Sequence, residues 1–194
     1  MDYDFQERLR VFQLALNTDT ISTIVRKYLT FGDSAVLDYD KYYNLKAEVA
    51  ENFKIHPSEV LIVGSAKTGF SIAPQKRFRF FNDKSDIDVA IISPFLFDRI
   101  WQQVFDCWED GGEWSGIDGF KDYLFRGWIR PDKLPPRNRF KIRQEWWEFF
   151  RLVTQKQSYG PYKVAAGLYK SWHFFEIYQS ICVKSCKQDT ELSR

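Results

Sequence analysis

Cysteine and histidine are scarce in this sequence, and long apolar runs are missing. Three cysteines, an odd number, do not build a disulfide framework. Cys182 and Cys186 stand four apart on a stretch that reads as helix, with too few His or Cys partners nearby for a zinc site. The two histidines, His56 and His173, are isolated, and neither adjoins the Ser or Cys pattern of a catalytic triad. No apolar run approaches the ~18 residues that span a bilayer, so no membrane association is expected. The opening Met1-Asp2-Tyr3-Asp4-Phe5-Gln6-Glu7 is acidic and polar, unlike a secretory leader. Net charge is lacking too. With 28 basic against 26 acidic side chains the balance is +2, so only local clusters can argue for nucleic acid. No internal repeat is visible. These absences make a reduced, cytoplasmic protein the expectation.

Aromatic residues, by contrast, are abundant: 18 Phe, 10 Tyr and 7 Trp make up 18% of the chain. Such rings supply large buried areas and also mark contact surfaces, because phenol and indole heads want a polar partner. The 194 residues suffice for one domain with a real core, or for a small domain with a helical appendage. Phe5, Leu9, Phe12 and Leu16 recur at helical spacing over residues 4–16. A second helix is expected over 20–29, and a third, capped by Asp38 or Asp40, carries Tyr43, Leu45, Val49 and Phe53. Ser93-Pro94 reads as an N-cap followed by proline at the first helical position. The helix it opens bears Phe97, Ile100, Trp101, Val104, Phe105 and Trp108 as one stripe, expected to pack wholly on a sheet. Residues 113–130 read as a loop and a short aromatic helix, and 131–139 as a proline-rich ordered loop. A helix over 141–155, a strand within 159–171 and a helix to about 187 follow.

Two segments carry chemistry. Leu61-Ile62-Val63-Gly64-Ser65 is an apolar strand ending in a Gly-Ser turn. Ser85-Asp86-Ile87-Asp88-Val89-Ala90-Ile91-Ile92 is a second strand that opens with two aspartates. Residues i and i+2 of a strand share a face, so Asp86 and Asp88 stand side by side while Ile87, Val89 and Ile91 face the core. Adjacent carboxylates repel and raise each other's pKa unless a cation neutralises them. A solvated strand end capped through Ser85 is the plain alternative. The Gly-Ser turn is either a phosphate cradle aided by Lys67 or an ordinary tight turn.

The strand, Gly-Ser turn and Ser-Asp-x-Asp strand opening together resemble the polymerase-β-like nucleotidyltransferase superfamily, closely over residues 58–93 and loosely over 40–175. The resemblance implies an α+β fold: a small mixed sheet flanked by helices, with an N-terminal helical segment (1–56), a nucleotidyltransferase-like domain (57–187) and a flexible tail (188–194). It implies that Gly64, Ser65, Lys67 and Ser85 hold a nucleoside triphosphate. It also implies that Asp86 and Asp88 bind Mg²⁺ or Mn²⁺ and act in catalysis, moving a nucleoside monophosphate to a hydroxyl of RNA, protein or a small molecule. The compact form is similar to minimal nucleotidyltransferases of bacterial toxin–antitoxin and antiviral modules.

Two departures stand out. Twenty residues separate Ser65 from Asp86, where the family usually has roughly a dozen, and the extra segment carries Lys67, Lys76, Arg77, Arg79 and Lys84 among phenylalanines. The later strand that would supply a third carboxylate, residues 162–170, has no Asp or Glu; Glu113, Asp118 or Asp122 are the substitutes the intervening loop offers. Without a third acid the rival function is a degenerate subunit that grips nucleotide, RNA or a protein partner. RNA contact is expected through Lys76, Arg77 and Arg79, and through a second cluster of Arg130, Lys133, Arg137, Arg139, Lys141 and Arg143. The competing reading for both is a solvated surface. Trp146-Trp147 and Phe149-Phe150 cannot share one narrow helix face, so a protein partner or homo-oligomer through an aromatic surface is expected beside core packing.

Overall fold

The computed structural model describes residues 2–136 and 140–192. Four strands form one mixed sheet: β1 (Val60–Val63), β2 (Ile87–Ile92), β3 (Trp128–Ile129) and β4 (Val164–Tyr169), in the order β1-β2-β4-β3. β1 runs antiparallel to β2, β2 parallel to β4, and β4 antiparallel to β3. The expected α+β class, a small mixed sheet flanked by helices, is therefore what the chain adopts. Only the β2–β4 pair is parallel, and its connection is a long crossover, as parallel pairing requires. That crossover holds α5 (Pro94–Glu109), α6 (Ile117–Phe125), β3 and α7 (Lys141–Lys156). β3 has two residues, too short to leave an alternating pattern, and sequence reading missed it.

The strands alternate as their pattern requires. Val60, Ile62, Ile87, Val89 and Ile91 face one core, shared with Leu45, Val49 and Phe53 of α3 (Tyr39–Phe53), with α5 and with α7. Leu61, Ala90, Ile92 and Tyr169 face the other side, where Phe175 of α8 (Trp172–Leu192) covers them. Asp88 continues the Ala90–Ile92 face at the start of β2, whereas Asp86, expected from sequence within the strand, immediately precedes its first residue. A third cluster joins α1 (Asp2–Thr18), the short α2 (Ile21–Ile24) with its π-helical continuation Val25–Thr30, and Val183 and Cys186 of α8. The last helix runs through Leu192, past the end expected from sequence.

One aromatic expectation is corrected, and another takes its core-packing form. On α5 only half of the anticipated stripe is buried: Phe97, Ile100 and Val104 are inside, while Trp101, Phe105 and Trp108 are exposed. At about 100° per residue the six rings and chains spread over too wide an arc. Leu96, fully buried, centres the packed arc on its own side, and the three outer rings fall off the opposite edge. On α7, three of the four rings turn to a neighbouring helix. Trp146, Phe149 and Phe150 gather around Phe53 of α3 at centroid distances of 4.6, 5.6 and 6.1 Å. No helix among the described residues is long and apolar enough to cross a membrane.

Candidate nucleotide and metal site

Antiparallel pairing of β1 and β2 sets Val63 opposite Asp88, so the residue after Val63 meets the aspartate strand at its open end. That residue is Gly64. Its φ of +63° is the left-handed conformation that glycine adopts without strain. A Cβ there would lie 2.9 Å from Oδ2 of Asp88. Gly64 therefore serves both the corner and the close approach. A short helix, α4 (Gly64–Thr68), follows.

Gly64, Ser65, Ser85, Asp86 and Asp88 line one cleft of about 950 Å³. Asp88 is open to the cleft water yet walled by protein. Burial, then repulsion from Asp86, pushes its carboxyl up to about 6, against the pull of Lys76 and Lys163. Lys163 Nζ stands 3.9 Å from Asp86 Oδ2. Ser85 shares the wall; its hydroxyl accepts from the Asn82 N–H at 3.0 Å and keeps its own O–H to donate.

Lys67 does not join them. It is 2% exposed, its ammonium donates to the Gly32 carbonyl and lies 5.8 Å from the Tyr42 ring centre. Two residues along a helix turn the side chain through about 200°, so a Ser65 that faces the cleft sends Lys67 to the far side. There it lines a smaller pocket of about 280 Å³. Burial lowers its pKa to about 8.

The cations that line the cleft are Lys76, Arg79 and Lys84 of the added segment, which make no ion pair among the described residues, and Arg130, which is paired with Asp132. Arg77 turns away, to α8. Several members of the second basic cluster have partners within the protein. Arg130 forks onto Asp132 at 3.0 and 3.2 Å, Lys133 lies 3.8 Å from Asp132, and Lys141 pairs with Glu145 at 3.3 Å. Arg143 donates to the carbonyls of Leu134 and Asp132. Arg137 and Arg139 lie outside the described residues. His56 caps the turn before β1, accepting from the Ser58 N–H at 3.1 Å.

The third carboxylate is not supplied by β4. Asp88 pairs with Ala165, and the next residue on that face is Gly167, over which Trp128 Nε1 sits 2.7 Å from a hypothetical Cβ. Glu113, Asp118 and Asp122 do not line the cleft; Asp132 does, in its fork with Arg130. No group of three His, Cys, Asp or Glu able to hold a metal occurs among the described residues. Sequence reading missed Lys163, Trp128 and the cleft-side position of Asp132. The compact Trp128-Ile129-Arg130-Pro131-Asp132 run was the available signal for the last two. No family model matches this chain, and neither a curated protein nor a solved structure matches it.

Proposed function

We propose that the cleft binds a nucleoside triphosphate with its divalent cation, and that the protein is a nucleotidyltransferase acting on a hydroxyl of RNA, protein or a small molecule. One observation carries the reading: the Gly64-Ser65 corner and the Asp86/Asp88 pair share one cleft wall, with Gly64 against the Asp88 carboxylate. The donors suit Mg²⁺ or Mn²⁺, which take one or two carboxylates and fill the remaining positions with phosphate oxygens and water. Asp88 ionises reluctantly beside Asp86, a cost that a cation between them would remove. The bound cation would neutralise phosphate charge and aid in-line attack on the α-phosphorus. Gly64 leaves room at the corner, and the Ser65 hydroxyl would donate to a phosphate oxygen. Lys76, Arg79 and Lys84 would take the role first assigned to Lys67, pairing with the outer phosphates. Three free cysteines and the need for a nucleotide suit a cytoplasmic setting, and the resemblance to minimal nucleotidyltransferases suggests a toxin–antitoxin or antiviral module.

A second reading has its own support. Ala165 and Gly167 stand where a third acid would face Asp88, which favours a catalytically degenerate subunit that binds nucleotide, RNA or a protein partner. Incubation with each labelled nucleoside triphosphate, Mg²⁺ or Mn²⁺ and total RNA separates the two. Transfer of label that is lost in Asp86→Ala/Asp88→Ala supports the enzyme. Cation-dependent nucleotide binding without transfer supports the second reading, and absence of both from the wild type refutes the cleft assignment.

A further inference from the structure

The segment between Gly69 and Phe81 is a folded loop. Its ends are tied by the Phe70–Phe80 bridge and by the Phe81 N–H donating to the Gly69 carbonyl at 2.9 Å. Inside it, Phe78 N–H donates to the Ser71 carbonyl at 2.7 Å, and Arg79 N–H to the Lys76 carbonyl at 3.0 Å. The tip alternates in direction. Lys76 and Arg79 line the cleft, whereas Arg77 and Phe78 between them point the other way. Phe78 takes a φ of +59°, unfavourable for a residue with a Cβ, and sets its ring 6.4 Å from that of Phe70. The Arg77 side chain is 13% exposed and reaches α8, with Nη2 3.0 Å from Ser185 Oγ and 2.8 Å from Asp189 Oδ2.

We propose that Arg77 is a positioning residue: its bonds to Ser185 and Asp189 fasten the loop to α8 and so hold Lys76 and Arg79 toward the phosphates of the ligand. The inference rests on the nucleotide reading of the cleft and gives the final helix a part in it. A loop already ordered does not charge the ligand for its ordering. A strained φ at Phe78 is kept only while neighbours over-determine it. The anchored Arg77 and the Phe70 ring against which Phe78 packs are those neighbours. Release of Asp189 therefore weakens phosphate binding without touching any group that meets the phosphates.

The probe is inorganic tripolyphosphate with Mg²⁺, titrated calorimetrically, because it reports the phosphate-facing groups without a base or acceptor. Asp189→Asn removes a carboxylate that is 56% exposed, a position where loss of fold is not expected. Asp189→Asn and Arg77→Ala are expected to weaken binding about tenfold. Arg77→Lys, still able to reach Asp189, restores part of it. In the Lys76→Ala/Arg79→Ala background, Asp189→Asn should have no further effect, a coupling that a merely structural loop anchor would not produce. Hydrogen exchange over residues 71–81 rises in Asp189→Asn while the melting temperature stays near that of the wild type. Wild-type binding with an unaffected Asp189→Asn variant, or an equal loss in both backgrounds, overturns this inference alone. Failure of the wild type to bind tripolyphosphate overturns the cleft reading and the inference together.

Discussion

Gly64 and Asp88 touch: the carboxylate of one strand end occupies the space where the other strand's corner lacks a side chain, 2.9 Å from an added Cβ. The corner cannot carry an alanine without moving the acid.

Gly64→Ala should therefore act twice. A Cβ at φ +63° costs about 1–2 kcal/mol, and the displaced Asp88 loses its place beside Asp86. Thermal melting should show the first effect. Mn²⁺ binding followed by electron paramagnetic resonance should show the second, as at least a tenfold or so weaker affinity. Unchanged Mn²⁺ binding would separate the corner from the metal.

Asp88 predicts a pH dependence of definite sign. Its folded pKa, about 6, lies above the ordinary carboxylate value, so between roughly pH 4 and 6 the folded state holds more protons than the unfolded chain. Stability contributed by this group falls as pH rises through that window and is level above it. Its access to cleft water reduces the effect to about 1 kcal/mol or less. Asp88→Asn should remove the slope and be the more stable protein at pH 7. Mn²⁺ affinity of the wild type should grow from pH 5 to pH 7 as the carboxyl deprotonates. A flat profile for both proteins would argue against the crowded carboxylate pair.

Lys67 predicts the opposite sign. Burial holds its pKa near 8, below the usual lysine value, so the unfolded chain holds the extra proton from about pH 8 to pH 10.5. Stability from this group rises across that range, on the order of 2 kcal/mol for a side chain this buried. Chemical denaturation of wild type and Lys67→Met at pH 7.5 and 9.5 should show the gain only in the wild type. Mg²⁺-nucleotide affinity should stay the same in Lys67→Met, since the ammonium points into the opposite side of α4.

Ala165→Asp would place a third carboxylate beside Asp88. Without metal it should lower stability by about 1 kcal/mol through added repulsion, and with Mn²⁺ it should bind several-fold more tightly. Gly167→Asp should instead lower the melting temperature with or without metal, because the Trp128 indole fills the space above residue 167. Equal behaviour of the two variants would mean that the register of β4 does not govern the site.

Much of the local structure was legible in the chain. The Asp38 and Ser93 caps, β1 at Val60–Val63 and the alternation of the aspartate strand follow from propensity and period, and each is where the pattern puts it. Ser65 and Lys67 were less legible. Both sit in the short stretch after the turn, and only the helical rotation of α4 sends them to different surfaces. The basic residues show the same limit. Composition groups Lys76, Arg77 and Arg79 as one cluster, yet the loop directs the middle one to α8 and its neighbours to the cleft. Charge can be counted in a sequence, but its direction depends on loop backbone angles such as the positive φ of Phe78.

The sequence by itself determined β1, β2 and β4, the caps, the glycine corner and the closeness of the two acids, because these depend on neighbours within a few residues. Only the tertiary structure decided what those groups meet. Pairing β1 antiparallel to β2 brought Gly64 onto Asp88, and the β2–β4 register set Ala165 and Gly167 where a third acid would have stood. Such contacts join residues far apart in the chain, and they are selected by packing of the whole core rather than by any local preference.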